Sequence, residues 1–378
     1  MEKIKTHLCL ISGQPIPNIT PLLDKKFAPD TVIFLLSPDM QKKAQWLEKL
    51  IKPRGIKVVH WPIDDAWDIE HIQYRIIELL ESDYADGLAL NATGGTKPMS
   101  IGAYSVFGNK PVFYVHPQED KILWMTPSNR PAQIIEDRLR LSDFLLAHGY
   151  SFISGDKNKI PSENQELAQE LINNIEKFAK PLGLINFLAN KADGRADLTS
   201  PIIDSRKQSH DFIELLQLFE DKGVCYFDHN KITFNSEQKR FFANGGWLEE
   251  YVFSELRHLS SHNKIHEIRD LQKSVEVQAF DGGTRNELDV AFLSNNHFHV
   301  VECKTKTWKE QDSGSDAIYK LDTLKETLGG LQGKGMLITY KELPKAVLQR
   351  AKNENIAVCQ FSQLKRINEF LITWIQNK

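Results

Sequence analysis

The sequence has few cysteines and no long apolar run. Its four cysteines are too scattered for a disulfide framework or for the paired spacing of a zinc site; they are Cys9, Cys225, Cys303 and Cys359. No stretch approaches the ~20 consecutive apolar residues of a transmembrane helix. The first residues, MEKIKTHLCLISGQP, lack the apolar core and cleavage site of a signal peptide. These absences predict a cytoplasmic protein.

The sequence also lacks an excess of positive charge. There are 47 Lys and Arg residues against 50 Asp and Glu residues, which gives a formal net charge of −3. Because tight binding of phosphate backbones needs clustered cations, this balance argues against a protein that is permanently coated with nucleic acid. A locally basic cleft remains compatible with it. A chain of 378 residues exceeds the usual size of one core, so we expect two or three domains.

Residues 1–150 alternate between short apolar runs and longer amphipathic segments. This alternation predicts a doubly wound α/β sheet with helices on both faces. In such sheets, ligands bind beyond the carboxyl ends of the strands, near the switch in strand order. The predicted strands are 7–11, 31–36, 57–61, 87–91, 112–115 and 121–125, and the clearest helices are 39–51 and 69–80.

Two loops follow such strand ends, and both are candidates for binding an anion. The first contains Ser12 and Gln14. The second, N-A-T-G-G-T-K-P-M at 91–99, joins a strand to a helix. Its two glycines let the backbone come close to a ligand, and the helix start offers free N–H groups. The run matches neither a P-loop nor a dinucleotide fingerprint, and an ordinary strand-to-helix turn is the alternative.

A second distinctive stretch runs from residue 286 to residue 305. Alternating runs at 288–293 and 298–301 flank a polar turn centred on Asn295-Asn296, which predicts a β-hairpin. This register places Asp289 opposite Glu302, and Glu287 opposite Lys304, on one face. Two opposed carboxylates destabilise a ladder unless a cation lies between them. The alternative is a solvated strand face on which Glu287 and Lys304 form an ion pair.

The rest of the C-terminal region predicts a mixed α/β sandwich. A helix at 247–256 has an apolar stripe with Glu249 at its edge; alone, Glu249 would be a partner of the helix dipole. The predicted order is helix, hairpin, helix, strand, helix, strand, helix.

The middle segment, residues 151–235, differs in composition. We predict helices at 175–188 and 211–219, then a small hairpin formed by 224–227 and 231–234. Helices followed by a hairpin resemble a winged helix. Because the second helix is not basic, we interpret the segment as a connector rather than a DNA reader.

The N-A-T-G-G-T-K-P-M run resembles the signature of the CRISPR-associated Rossmann-fold sensor domain. The resemblance implies a homodimer that binds a cyclic oligoadenylate, most specifically cyclic tetra-adenylate, in a pocket on the two-fold axis. A symmetric, multiply charged ring suits two amide-rich loops that face each other across a dyad. The implied ligand-binding residues are Ser12, Gln14, Asn91, Thr93, Gly94, Gly95, Thr96 and Lys97.

The C-terminal region resembles the restriction-endonuclease-like nuclease core, through its W-L-E helix, Asp289 and the E-C-K triplet at 302–304. One departure is Leu288, where the pattern has proline. The resemblance implies that Asp289, Glu302 and the carbonyl of Cys303 hold Mg²⁺ or Mn²⁺ through oxygen ligands. Glu249 would complete the shell, and Lys304 would orient the attacking water.

Trp308, Lys306 and Lys309 follow this triplet and are candidates for stacking on and neutralising an unpaired strand.

Together the two resemblances imply an ancillary nuclease of type III CRISPR systems. Its expected fold is α/β: a Rossmann-like sensor at 1–150, a small winged-helix-like α+β connector at 151–235 and an α/β/α nuclease core at 236–378. The expected activity is metal-dependent cleavage of single-stranded RNA or DNA, with nicking of duplex DNA in some relatives, after activation by the cyclic ligand. The alternatives are a ligand-sensing regulator that binds nucleic acid without cutting it, and a nuclease that needs no second messenger.

Overall fold

The computed structural model describes residues 4–116, 118–261, 268–283, 285–305, 315–330 and 333–376. Within these residues the chain forms a seven-stranded sheet, a two-stranded sheet and a six-stranded sheet. Trp308, Lys306 and Lys309 lie outside the described residues. No helix in the described part of the chain is long and apolar enough to cross a membrane.

The seven-stranded sheet is the predicted doubly wound sheet. Its strand order is β3-β2-β1-β4-β5-β6-β7; β1 to β5 are parallel, and β6 and β7 are antiparallel. The strands are β1 Thr6–Leu10, β2 Thr31–Leu36, β3 Lys57–Pro62, β4 Leu88–Asn91, β5 Val112–His116, β6 Lys121–Thr126 and β7 Gln133–Ile134. The helices are α1 Ile16–Leu23, α2 Gln41–Ile51, α3 Ile69–Leu80, α4 Lys97–Val106 and α5 Leu141–Ala147. The predicted fold class is therefore confirmed, and the order switches between β1 and β4.

Both faces of this sheet are covered by helices, which explains its nearly continuous apolar strands. Leu8 and Ile33 pack toward α3 and α4, where Ile72 is buried with them. Phe34 faces the other way, toward α1, α2 and α5. Helix α3 begins after Asp68, whose carboxylate accepts a hydrogen bond from the backbone N–H of His71 at 3.0 Å.

The middle segment contains both predicted helices and the predicted hairpin, and also elements that the sequence pattern did not predict. Its hairpin turns at His229 and Asn230, both with positive φ. The strand Tyr150–Asp156 pairs antiparallel with the strand Ile268–Ala279 of the C-terminal sheet, and the helix Ser162–Asn173 packs against the helix Trp247–Ser261. The elements are β8 Tyr150–Asp156, α6 Ser162–Asn173, α7 Ile175–Asp193, α8 His210–Asp221, β9 Cys225–Asp228, β10 Lys231–Phe234 and α9 Glu237–Phe241. The separation of 151–235 as a connector stays a prediction.

The C-terminal sheet has the order β15-β14-β13-β12-β11-β8, with β13, β14 and β15 parallel. The predicted element order omitted β11, which lies between the first helix and the hairpin, and this omission was wrong. The elements are α10 Trp247–Ser261, β11 Ile268–Ala279, β12 Arg285–Ser294, β13 His297–Lys304, α11 Ser315–Gly329, β14 Gly333–Thr339, α12 Lys345–Asn353, β15 Ile356–Gln360 and α13 Ile367–Gln376.

One apolar core joins the first sheet to the C-terminal sheet. Leu47 of α2 and Phe144 of α5 belong to the same buried cluster as Leu293, Phe298 and Leu321 of the C-terminal region. The rings of Phe144 and Phe298 stack with their centroids 5.6 Å apart. The first domain therefore packs directly on the hairpin that carries Asp289 and Glu302.

Candidate active site and ligand pocket

The hairpin turn has the predicted position and register. Asn295 and Asn296 both have positive φ, at 48° and 54°, as a tight two-residue turn requires. Ser294 pairs with His297, and the ladder continues to Val290 opposite Val301.

Beyond Val290 the two strands separate, so the predicted cross-strand pairs were wrong. Glu287 pairs with Glu276 of β11 on the other edge of β12, and the ladder between β12 and β13 ends before it reaches Lys304. The carboxylate of Asp289 turns toward β13, where its Oδ2 accepts a hydrogen bond from the backbone N–H of Cys303 at 2.6 Å. The side chain of Asp289 therefore links β12 to β13 at the point where their ladder ends.

Glu302 is the most constrained group of the site. Its side chain is fully buried, and its Oε1 accepts hydrogen bonds from Lys304 and, at 3.2 Å, from Lys320. Its Oε2 is buried without a hydrogen-bond partner among the described residues. The expected alternative, an ion pair of Lys304 with Glu287, is not formed, because Glu302 is the carboxylate that Lys304 contacts.

Glu249 is brought to the same site by a close approach of two chain segments. Gly245 lies two residues before the start of helix α10 and has φ 114°, and a Cβ there would lie 2.1 Å from Oγ1 of Thr305. Glycine therefore lets the helix start lie against the end of β13. The adjacent Glu250 accepts a hydrogen bond from Asn164 at 2.8 Å instead.

Burial and mutual repulsion disfavour the charged forms of the carboxyl groups at this site. Burial, followed by the charges of Asp289 and Glu287, raises the pKa of Glu249 to about 9. Burial, followed by the charge of Glu302, raises the pKa of Asp289 to about 7. Burial alone would lower the pKa of Lys304, but Glu302 and Asp289 outweigh it and the pKa is raised. Such a cluster favours a cation.

The donor set fits a hard divalent cation. Asp289, Glu249 and the unpartnered Oε2 of Glu302 are carboxylate oxygens, which Mg²⁺ and Mn²⁺ prefer. The thiol of Cys303 is unsuited, because burial raises its pKa far above the usual range; its backbone carbonyl remains available. Across the described ranges, no three His, Cys, Asp or Glu side chains already converge closely enough to form a cation cage.

A cavity of about 380 Å³ lies at the carboxyl ends of β1, β2 and β3. Three of the predicted ligand-binding residues line this cavity: Ser12, Gly95 and Thr96. Thr96 is the N-cap of α4: its hydroxyl accepts a hydrogen bond from the N–H of Met99 at 3.2 Å and donates to the carbonyl of Ala66 at 2.7 Å. Lys97 begins the helix and is exposed.

Gly94 sits where no other residue fits. A Cβ there would lie 2.1 Å from the backbone oxygen of Leu10. Gly95 has φ 74°. The two glycines therefore place the loop directly on the end of β1.

Two predicted ligand residues have side chains that brace this loop. Asn91 is buried and donates to the carbonyl of Pro17 at 2.9 Å. Thr93 donates to Oδ1 of Asn91 at 2.6 Å and accepts from the N–H of Val115 at 2.7 Å. Thr93 and Gln14 line a different, larger cavity of about 1040 Å³, between this domain and helices α12 and α13. The eight predicted residues therefore do not all line one pocket.

The smaller cavity also contains three acids that sequence analysis missed, Asp39, Asp64 and Asp65. They follow the carboxyl ends of β2 and β3, so the strand-end rule that selected the other two loops would have found them.

Family models match both ends of the chain. The model described as "Card1 CARF domain" matches residues 6–144, and the model described as "Card1-like, endonuclease domain" matches residues 236–378. The chain is a nuclease fused to a CRISPR-associated Rossmann-fold (CARF) domain. The expected resemblance to a sensor domain fused to a nuclease domain is thereby confirmed, and so is the expectation of an enzyme. No curated protein matches the sequence.

Solved structures resemble this CARF-fused nuclease over its whole length. Protein VC1899 from Vibrio cholerae is 28% identical, with a TM-score of 0.90 and coverage of 99% of this chain and 98% of that chain. Can2 from Sulfobacillus thermosulfidooxidans, solved in complex with cyclic tetra-adenylate, is 28% identical, with a TM-score of 0.84 and coverage of 99% and 100%.

A type III CRISPR defence DNA nuclease activated by cyclic oligoadenylate is 18% identical, with a TM-score of 0.57 and coverage of 91% of this chain and 46% of that chain. It shares the fold.

Proposed function

We propose that this chain is a divalent-metal-dependent endonuclease that a cyclic oligoadenylate activates in type III CRISPR defence. The buried carboxylate of Glu302 carries the proposal, because lysines hold one oxygen and the other is left without a partner among the described residues. A buried, half-satisfied carboxylate is costly unless a cation completes it. The CARF domain and the full-length likeness to Can2 support the activator.

Each group of the candidate active site has a distinct task. Asp289, Glu302 and the carbonyl of Cys303 would hold Mg²⁺ or Mn²⁺, and Glu249 would complete the shell directly or through water. The bound cation would polarise the scissile phosphate and lower the pKa of a water ligand. Lys304, which Glu302 holds in place, would orient the attacking water and offset the charge that develops on the phosphate.

The activator that the CARF domain would bind is, most specifically, cyclic tetra-adenylate. The exposed ammonium of Lys97 suits its phosphates, and Ser12, Gln14, Thr96, Gly94 and Gly95 would supply close backbone and polar contacts. Asn91 and Thr93 would act by fixing the loop, since their side chains bond within the domain.

A homodimer is supported by an exposed apolar face on α3 and α4. Tyr74 and Ile77 of α3, and Ile101 and Tyr104 of α4, are all exposed, although α3 and α4 pack together. Exposed apolar side chains on two neighbouring helices favour an interaction surface. The ligand would then shift the dimer toward a closed population in which the two nuclease domains act.

The test of this proposal is alanine substitution at Glu302 and at Lys304. We expect each variant to lose cleavage of labelled single-stranded RNA and DNA while it binds cyclic tetra-adenylate as the unsubstituted protein does. Cleavage that persists in pure E302A protein would contradict the active site. Tight ligand binding without cleavage by the unsubstituted protein, with Mg²⁺ or Mn²⁺ present, would instead indicate the regulator.

A further inference from the structure

Helix α11 brings a second lysine to the candidate active site. Nζ of Lys320 lies 3.2 Å from Oε1 of Glu302, the same oxygen that Lys304 contacts. Lys320 follows the E-C-K triplet at a distance and within no recognisable motif, so no sequence pattern marks it. Two lysines therefore share one carboxylate oxygen.

One cation is enough to neutralise Glu302, so the second is available for another anion. The side chain of Lys320 is 46% exposed, whereas that of Lys304 is 29% exposed. Lys320 is thus the outer of the two cations and the one that a ligand from solvent reaches first. Its charge also acts on Asp289, where it opposes the rise in pKa caused by burial and by Glu302.

The packing of helix α11 fixes the position of Lys320 beside Glu302. Its neighbours Ile318 and Leu321 are fully buried, and α11 packs on β13 and β14. The helix is therefore fixed against the strand that carries Glu302. A lysine on a rigid helix loses less conformational freedom on binding than one on a loop.

We propose that Lys320 is a further catalytic residue, which binds a non-bridging oxygen of the scissile phosphate and offsets the negative charge that develops there. The inference rests on the proposed nuclease function. In the reaction, a water oxygen forms a new bond to phosphorus and the bond to the leaving oxygen breaks. The water gives a proton to solvent, and the leaving oxygen takes one from it. Lys320 stays protonated throughout and acts only through its charge and N–H groups.

The test compares Lys320→Ala, Lys320→Gln and Lys320→Arg with Lys325→Ala in the full-length protein. Lys325 lies on the same helix but bonds to Asp322 and to the carbonyl of Glu354, each at 2.7 Å. With labelled single-stranded DNA and RNA and Mn²⁺, we expect K320A and K320Q to lower kcat by about 10²-fold. K320R should recover part of the rate because it keeps the charge, and K325A should keep the unsubstituted rate.

A second readout needs no cleavage. Because the positive charge of Lys320 opposes binding of a cation to Glu302, K320A and K320Q should bind Mn²⁺ more tightly in calorimetry without nucleic acid. A merely structural lysine would not combine tighter Mn²⁺ binding with a slower reaction at an unchanged melting temperature. If K320A is unstable, the cleavage rates and Mn²⁺ affinities of K320Q and K320R are compared instead, because only K320R keeps the positive charge.

Unsubstituted rates in both K320A and K320Q would overturn the inference while the nuclease function stands. An equal loss in K325A would also overturn it, because the effect would then belong to the helix. No cleavage by the unsubstituted protein would remove the proposed function itself, so the two failures are distinguishable.

Discussion

Glu249 and Glu250 are adjacent acids with different surroundings. Charges of Asp289 and Glu287 act on Glu249, whereas Glu250 bonds to Asn164. The helical pattern in the sequence places Glu249 nearer to the apolar stripe than Glu250. Only the hairpin, which predicts a cation site, indicates a function for the Glu249 carboxylate. At this scale, the sequence predicted the residues of the candidate site, and the structure shows which of them meet.

Substitution of these two acids separates their roles. We expect Glu249→Gln to raise the Mn²⁺ concentration needed for half-maximal cleavage by about 10–100-fold, because loss of a supporting metal contact lowers metal affinity by that factor. Glu250→Gln is the matched control, and it should need the same Mn²⁺ concentration as the unsubstituted protein. Titration of the cleavage rate with Mn²⁺ measures both, and identical curves for the two variants would contradict the assignment of Glu249.

Cation binding should depend on pH. The pKa of Asp289 is raised to about 7 without metal, so below that pH a proton occupies a group that the cation needs. The apparent Mn²⁺ affinity should therefore rise as pH increases from 6 to 8, with release of protons on binding. Calorimetry in buffers of different ionisation enthalpy measures both quantities. An affinity that is independent of pH would contradict the involvement of Asp289.

At the scale of elements, the sequence predicted those with clean periodicity and missed those without it. Helix α3 begins and ends at the predicted residues. Strand β11 was missed because positive φ angles at Asp270 and Ser274 and breaks in its pairing interrupt the alternation. Cross-strand pairing at Asp289 failed for another reason: the hairpin rule extends the ladder along both strands, whereas the ladder between β12 and β13 ends at Val290 and Val301.

The loop between β4 and α4 depends on Gly94. We expect Gly94→Ala to lower the free energy of unfolding by about 1–3 kcal/mol and to abolish binding of cyclic tetra-adenylate, because its Cβ would meet a backbone oxygen at 2.1 Å. Gly194→Ala is the control, since the nearest atom to its Cβ, the backbone oxygen of Asn190, would lie at an ordinary contact distance of 3.6 Å. Thermal unfolding and ligand titration measure the two effects. Normal ligand binding by stable G94A protein would contradict the account of this loop.

At the scale of the whole molecule, the CARF domain and the nuclease sheet share one apolar core. Phe144 of α5 is fully buried in it. Sequence analysis predicted the two domains as separate units, because periodicity within a segment carries no information about which distant segment covers its apolar face.

Phe144→Ala tests this shared core. Removing the ring should lower the free energy of unfolding by about 3–5 kcal/mol. Because the core spans both domains, we expect one cooperative transition at a lower temperature and not the loss of the CARF domain alone. Phe187→Ala, at a position that is 53% exposed, should change stability by less than about 0.5 kcal/mol. Two separate transitions in F144A protein would contradict a common core.

The most direct test is cleavage of labelled single-stranded RNA and DNA by the purified protein with Mn²⁺, with and without cyclic tetra-adenylate. We predict cleavage only when the ligand is present, which would support the nuclease site and its control by the CARF domain together. Equal cleavage without the ligand would contradict activation and leave the nuclease site standing. No cleavage in either case, with tight ligand binding, would contradict the proposed nuclease activity.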